Sequence, residues 1–253
     1  MKVSRKMKKF FLLIIYMCLF FFNWTVYCKS LPVIIIDPGH GGNDFGVKGF
    51  NNILEKDITL YIAQKISNNL CEKYKVILTR TDDENISIME RQSIANQNEG
   101  DLFISIHAGG SYNPVHYGLS IIYWDDVLEN NIDNIDNLEF KKNNNKNDWF
   151  NLQKDHIESS IYIAEVLNNN LLKCNINSKV KKGPFLILSG VDIPSLLIEI
   201  GFLSHPSEIK KIQESNFINV LSEELMYSIE KLIKKNEKDA LQDLHFIFDH
   251  DKD

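Results

Sequence analysis

Apolar positions along the chain switch between two periods. Val33 to Ile36 is a continuous apolar run, so Leu31 to Asp37 reads as a strand covered on both faces. From Ile53 to Lys73 the period becomes helical. Ile58, Tyr61, Ile62, Lys65, Ile66 and Leu70 fall on one face or its border, with Asp57 near the positive end. Tyr74 to Arg80 reads as a second strand and Ile86 to Asn98 as a second helix, its mixed face carrying Ile88, Arg91, Ile94 and Ala95. Asp101 to Ile106 is a third strand, and Gly118 to Trp124 alternates as β structure. Asp155 to Leu172 repeats Ile157, Ile161, Ala164, Leu167 and Leu171 at helical spacing. Phe185 to Leu188 reads as a short strand, Ser195 to Ile200 as a buried strand, and Ser207 to Lys235 as a final helical region. Residues 236–253 form an acidic tail expected to fray. Strands alternating with helices predict an α/β fold: a three-layer sandwich with a twisted, mostly parallel mixed sheet and helices on both faces. No internal repeat and no second domain is visible, so 31–235 reads as one domain.

Two predicted strands stop at a histidine beside glycines: Asp37-Pro38-Gly39-His40-Gly41-Gly42 and Ser105-Ile106-His107-Ala108-Gly109-Gly110. The crevice outside strand C-termini is where open α/β sheets bind ligands. If the two strands are parallel neighbours, these ends lie about 5 Å apart. Glycines at 39, 41, 42, 46 and 49 let the loop Gly39 to Asn52 approach a ligand closely. The composition changes at Asp125 to Asp148, rich in Asn, Asp, Glu and Lys, which reads as a polar insertion.

The start of the chain changes the picture of its compartment. Lys2, Arg5, Lys6, Lys8 and Lys9 precede the unbroken apolar run Phe10 to Phe22. That run is shorter than the about 20 residues of a membrane span, and residues 1–28 suit a secretory signal. Val26 and Cys28 would sit before a cut near Lys29, and an uncleaved N-terminal anchor is the alternative. Cleavage leaves 23 basic and 34 acidic residues, a net charge of −11 against −6 for the whole chain. An acidic exported product with no basic stripe is a poor nucleic-acid binder, and none is expected as a partner. Of the four cysteines, Cys71 and Cys174 would remain, as one disulfide or as two buried thiols.

Candidate chemistry lies in His40, Glu55, His107 and Glu199. Two imidazoles and a carboxylate form a common catalytic zinc set, and a second carboxylate can move the proton that amide hydrolysis requires. Each residue also has a structural role open to it. His40 suits a turn, His107 a buried strand end, and Glu55 the first turn of its helix. Glu199, inside Leu196-Leu197-Ile198-Glu199-Ile200, could be neutralised by Arg80 or Arg91, since a buried unpaired carboxylate is costly.

The motifs become specific in combination. Asp37-Pro38-Gly39-His40-Gly41-Gly42, Glu55-Lys56-Asp57, Ser105-Ile106-His107-Ala108 and Ile198-Glu199-Ile200-Gly201-Phe202-Leu203-Ser204 occur in this order, with Thr79-Arg80, Arg91 and Ala95-Asn96 between them. Together they resemble the zinc-dependent N-acetylmuramoyl-L-alanine amidases of the type-3 family, from about Val33 to the last helix. The resemblance implies Zn2+ held by His40, Glu55 and His107, with Glu199 as the catalytic carboxylate. It implies cleavage of the amide between N-acetylmuramic acid and L-alanine in peptidoglycan, for wall remodelling or daughter-cell separation, by a periplasmic or secreted enzyme.

Two positions depart from the family pattern. Gly109 replaces a usual Asn or Asp, and His205 replaces a usual Asn and reads as a surface substitution. His116, His156, His245 and His250 match no family ligand. In some relatives of this kind a segment comparable to 125–148 covers the zinc site until a protein activator moves it. A solvated loop is the other reading of that segment, and deleting Asn130 to Asn147 separates the two. The expected partners are peptidoglycan, an activator protein, and a membrane only if the N-terminal segment is uncleaved. The chain is expected to act as a monomer. Other readings stay open: a zinc peptidase on stem peptides, or a wall-binding regulator without turnover.

Overall fold

The computed structural model describes residues 31–110, 117–125 and 148–250, apart from the side chains of 148–151 and 243–250. Strands β1 (Val33–Pro38), β2 (Lys75–Leu78), β3 (Leu102–Gly109), β4 (Leu119–Trp124), β5 (Ser178–Gly183) and β6 (Ser195–Phe202) form one sheet in the order β2-β1-β3-β6-β4-β5. Its pairings are parallel except β4 against β6, which is antiparallel. The mostly parallel mixed sheet expected from the sequence is therefore present.

Side chains alternate across a strand, so each apolar run divides between two faces. Ile34 and Ile36 of β1 enter the larger core layer. There they pack with Ile62 and Ile66 of α1 (Glu55–Leu70), Leu167 of α3 (Ile157–Lys173) and Leu225 of α6 (Ser215–His250). Ile35 faces the other way, with Ala95 of α2 (Ile88–Gln97) and Leu188 of α4 (Leu186–Ser189). These two layers on opposite faces make the sandwich, and each fully buried isoleucine contributes roughly 1.5–3 kcal/mol.

Several boundaries differ from expectation for physical reasons. Strand β3 runs through His107 to Gly109, because its ladder to β6 continues past the apolar run with an irregularity between His107 and Gly109. Strand β5 has no apolar run to announce it, and its lysines suit an edge, where charge discourages pairing with other chains. Phe185 to Leu188 is not a strand. A helical turn at Leu186–Ser189 follows Gly183-Pro184, since a short apolar run cannot distinguish a strand from a buried helical segment. Helix α2 starts with a capping box, Ser87 to Glu90, which the hydrophobic pattern alone does not show. A 3-10 stretch, Asp148–His156, precedes α3, whose buried face uses Ile163 where Ile161 was expected.

The final helical region divides into α5 (Pro206–Gln213) and α6, broken by extended Glu214, so Ile209, Ile212 and Phe217 all reach the core. Helix α6 continues to His250, so the acidic tail is helical as far as that residue, where fraying was expected. Cys71 and Cys174 are exposed and free, neither disulfide-bonded nor buried. Residues 1–30 and 126–147 lie outside the described residues, and with them the signal segment and nearly all of the polar insertion. Among the described residues no helix is long and apolar enough to cross a membrane.

Candidate active site

The sheet places two candidates side by side. In the register of β3 and β6, His107 stands opposite Glu199, and across β6 Glu199 stands opposite Ser120 of β4. Leu196, Ile198 and Ile200 point into the larger core layer, whereas Leu197 points into the smaller one. Glu199 shares the parity of Leu197, which explains a carboxylate within an apolar run: it faces the crevice above the smaller layer. Neither arginine neutralises it. Arg91 binds Asp37, and Arg80 binds main-chain carbonyls at Pro38, Gly39, Lys56 and Asp82. Glu199 Oε2 is buried without a hydrogen-bond partner. Burial pushes its carboxyl above the usual carboxylate range, only partly opposed by His107.

His40 follows β1 in a left-handed backbone conformation, φ 61°. Such angles in residues other than glycine are costly and persist only where the surroundings enforce them. Here Arg91 Nη2 donates to the His40 carbonyl at 2.6 Å, while Arg91 Nη1 donates to Asp37 Oδ1 at 2.6 Å and to the Pro38 carbonyl at 2.7 Å. Asp37, fully buried, also accepts from Thr79 Oγ1 at 2.5 Å and Ser105 Oγ at 2.7 Å. Lys56 clips the far side of the loop, donating to the Gly42 carbonyl at 2.9 Å and pairing with Asp83 at 2.6 Å. Asp44 Oδ2 lies 2.8 Å from His40 Nδ1 and so turns Nε2 towards the site.

Glu55 opens α1, but its carboxylate does not cap that helix. It accepts from Val47 N at 2.8 Å and Ala108 N at 3.0 Å, and lies 3.1 Å from His40 Nε2 and 3.0 Å from His107 Nδ1. Burial alone would raise its pKa. The hydrogen bonds and charge of His107 and His40 more than offset this and hold it well below the usual carboxylate range. His40 is shifted the opposite way: burial lowers it, but Glu55 and Asp44 outweigh that and raise it. Donor atoms of His40, Glu55 and His107 all lie within 4.8 Å of one another. Two imidazoles, an ionised carboxylate and a second-sphere acid on one ring fit a zinc ion with an open position.

The loop glycines permit this closeness. A Cβ on Gly39 would come 2.5 Å from His107 Cε1. One on Gly46, whose φ is 62°, would come 2.6 Å from Glu55 Oε2 and 2.7 Å from His40 Cδ2. Gly46→Ala is therefore expected to cost about 1–3 kcal/mol of stability and to weaken metal binding. Thermal unfolding and a zinc titration check this, and wild-type values in both would refute the crowding argument.

A cleft of about 680 Å³ opens over His40, Glu55, His107 and Glu199 and extends to Ser120, Lys181, Lys182 and Phe185. A smaller cleft of about 380 Å³ adjoins it beside Ile86, Ile88 and Leu186. Asp44, Lys181 and Phe185 were not singled out from the sequence. Asp44 stands four residues from His40 in a glycine-rich loop, a usable signal, whereas Lys181 and Phe185 depend on where β5 and α4 fall. A Cβ on Gly109 would meet Glu199 Oε2 at 3.0 Å, so the departure from the usual polar residue leaves that oxygen room. His205 is half-buried at the start of α5, with Nε2 buried and unpartnered, where a surface position was expected. It does not join the His40 group. His156 pairs with Asp192 at 3.1 Å. His116 and the side chains of His245 and His250 lie outside the described residues.

The family model described as N-acetylmuramoyl-L-alanine amidase matches residues 34–231. A relative from Buchnera aphidicola subsp. Baizongia pistaciae is 32% identical over 220 residues, covering 81% of this chain and 98% of its own. N-acetylmuramoyl-L-alanine amidase AmiA of Escherichia coli is 28% identical over 203 residues, covering 73% of this chain and 70% of its own. The solved CwlD amidase of Clostridioides difficile, in complex with the GerS lipoprotein, superposes with a TM-score of 0.61 at 27% identity, covering 80% of this chain and 98% of its own. With the family match spanning most of its length, the chain belongs to the N-acetylmuramoyl-L-alanine amidases, enzymes that act on peptidoglycan.

Proposed function

We propose that the chain is a zinc-dependent amidase that hydrolyses the bond between the lactyl group of N-acetylmuramic acid and L-alanine. One observation carries this reading: the unpartnered oxygen of Glu199 lines the same cleft as the converging donors of His40, Glu55 and His107. His40, Glu55 and His107 would hold the ion, which when bound lowers the pKa of a water ligand towards about 7.

The protein's own groups then divide the work. Asp44 fixes the ring of His40, and the amides of Val47 and Ala108 keep Glu55 ionised and aimed. Glu199 takes a proton from the attacking water as the C–O bond forms. It returns that proton to the departing nitrogen as the C–N bond breaks. The products are a lactyl carboxylate and a free L-alanine amine. Export by residues 1–28, and a role in wall remodelling or daughter-cell separation, complete the proposal. The polar insertion, and an activator that would displace it, belong to the same proposal. The solved Clostridioides difficile amidase is in complex with a lipoprotein, which supports a protein partner for this chain.

The test is digestion of purified peptidoglycan with and without a chelator. Chelation is expected to abolish turnover and lower the unfolding temperature by roughly 5–10 °C, and added zinc to restore both. New L-alanine amino termini would support the amidase, and shortened stem peptides would favour the zinc-peptidase alternative. Binding to the wall by zinc-loaded protein without turnover would leave only a regulator.

A further inference from the structure

The cleft has a basic wall that the hydrolytic groups do not use. Strand β5 contributes Lys181 and Lys182 to the lining. Lys182 is already paired with Asp125 at 3.0 Å. The Lys181 side chain makes no hydrogen bond or close ion pair among the described residues; its charge is felt by Glu199 across the catalytic cleft of a chain with net charge −6. Across the sheet Glu199 stands opposite Ser120, and two residues further along β4 Ile122 stands opposite Lys181. Lys181 therefore has the same face parity as Glu199, two strands away.

Resting on the amidase reading, we infer that Lys181 is a specificity residue that binds a carboxylate of the stem peptide next to the scissile amide. Two strand spacings across the sheet and two residues along it separate the backbones of Glu199 and Lys181 by roughly 12 Å. A carboxylate one or two residues beyond the cleaved bond lies about 3–7 Å along an extended peptide, and the lysine side chain spans the remainder. The group that fits is the α-carboxylate of the second stem residue, when that residue is a γ-linked glutamate left unamidated. The remaining ionised groups of the cleft are committed elsewhere. Glu55 is held by two imidazoles, and Glu199 would repel an anion. Lys181 is then the cation that offsets this repulsion and sets the direction in which the peptide leaves the site.

The experiment compares soluble glycan chains carrying tripeptide stems, prepared with the second-residue α-carboxyl either free or amidated. They are offered to the zinc-loaded full chain, to Lys181→Met and to Lys181→Arg. With the free carboxylate, Lys181→Met is expected to raise KM roughly five- to tenfold at unchanged kcat. With the amidated stem its KM should match wild type. Lys181→Arg should recover most of the loss on the free carboxylate, since it keeps the charge. Equal KM effects on both substrates, or a loss confined to kcat, would overturn the assignment of Lys181 while leaving the amidase reading intact. Failure of the wild-type enzyme to cleave either substrate would overturn the amidase reading, and this inference with it.

Discussion

Glu199→Gln is expected to lower kcat by about 100- to 10,000-fold, the usual contribution of a positioned proton-transfer group, while zinc still binds at one equivalent. The substitution keeps the shape of the side chain and removes its ability to accept a proton. Glu199 is not among the donors gathered within 4.8 Å, so metal binding should survive. His40→Ala should lose metal and turnover together. Metal analysis of both proteins beside their steady-state rates separates these roles, and a Glu199→Gln protein that emerges without zinc would refute the assignment. The direction of the Glu199 shift adds a pH signature. Burial raises its pKa above 4.5, and the base is the charged form. Activity should therefore rise with pH through an acid limb lying above 4.5.

Arg91→Met carries the largest expected stability effect. Asp37 is fully buried and Arg91 is 5% exposed, with 2.6 Å between their charged atoms. Removing one member of a buried pair leaves the other charge uncompensated, which costs about 3–5 kcal/mol. Here the carbonyls of Ile86, Pro38 and His40 also lose a donor. Urea unfolding should show a lower midpoint with an unchanged slope. A change below about 1 kcal/mol would exclude a structural charge pair. The double variant Asp37→Asn/Arg91→Met should recover part of the loss, because it no longer buries an unpaired charge. Arg91 also holds the left-handed turn at His40, so the single variant should weaken zinc binding by roughly 10- to 100-fold, as loss of a ligand-orienting group does.

Much of the fold follows from local pattern. Val33 to Ile36 and Leu196 to Ile200 are buried strands, and the helical spacing of Ile58, Ile62 and Ile66 does face a core. The segment from Ser178 to Ser189 was the least legible. Its strand is a lysine-bearing edge and its apolar run is only a helical turn, so neither period is expressed. That segment supplies Lys181 and Phe185 to the cleft, and its share of the site stayed hidden with it. The break at Glu214 was equally invisible, because helical periodicity continues on both sides of it.

By itself, the sequence determined an α/β chain and marked four chemically able residues, His40, Glu55, His107 and Glu199. Apolar period and motif order are properties of neighbouring residues, and the sequence holds them completely. Only the tertiary structure decided what those residues face. The parallel register of β3 and β6 sets Glu199 beside His107, and the left-handed turn held by Arg91 brings His40 to Glu55. It also decided that Arg80 and Arg91 satisfy the β1 turn and leave Glu199 without an arginine partner, its Oε2 buried and not hydrogen-bonded. Most of these pairings join positions about 40 to 90 residues apart. Their energies depend on burial and on which donor arrives first, and neither is written in local spacing.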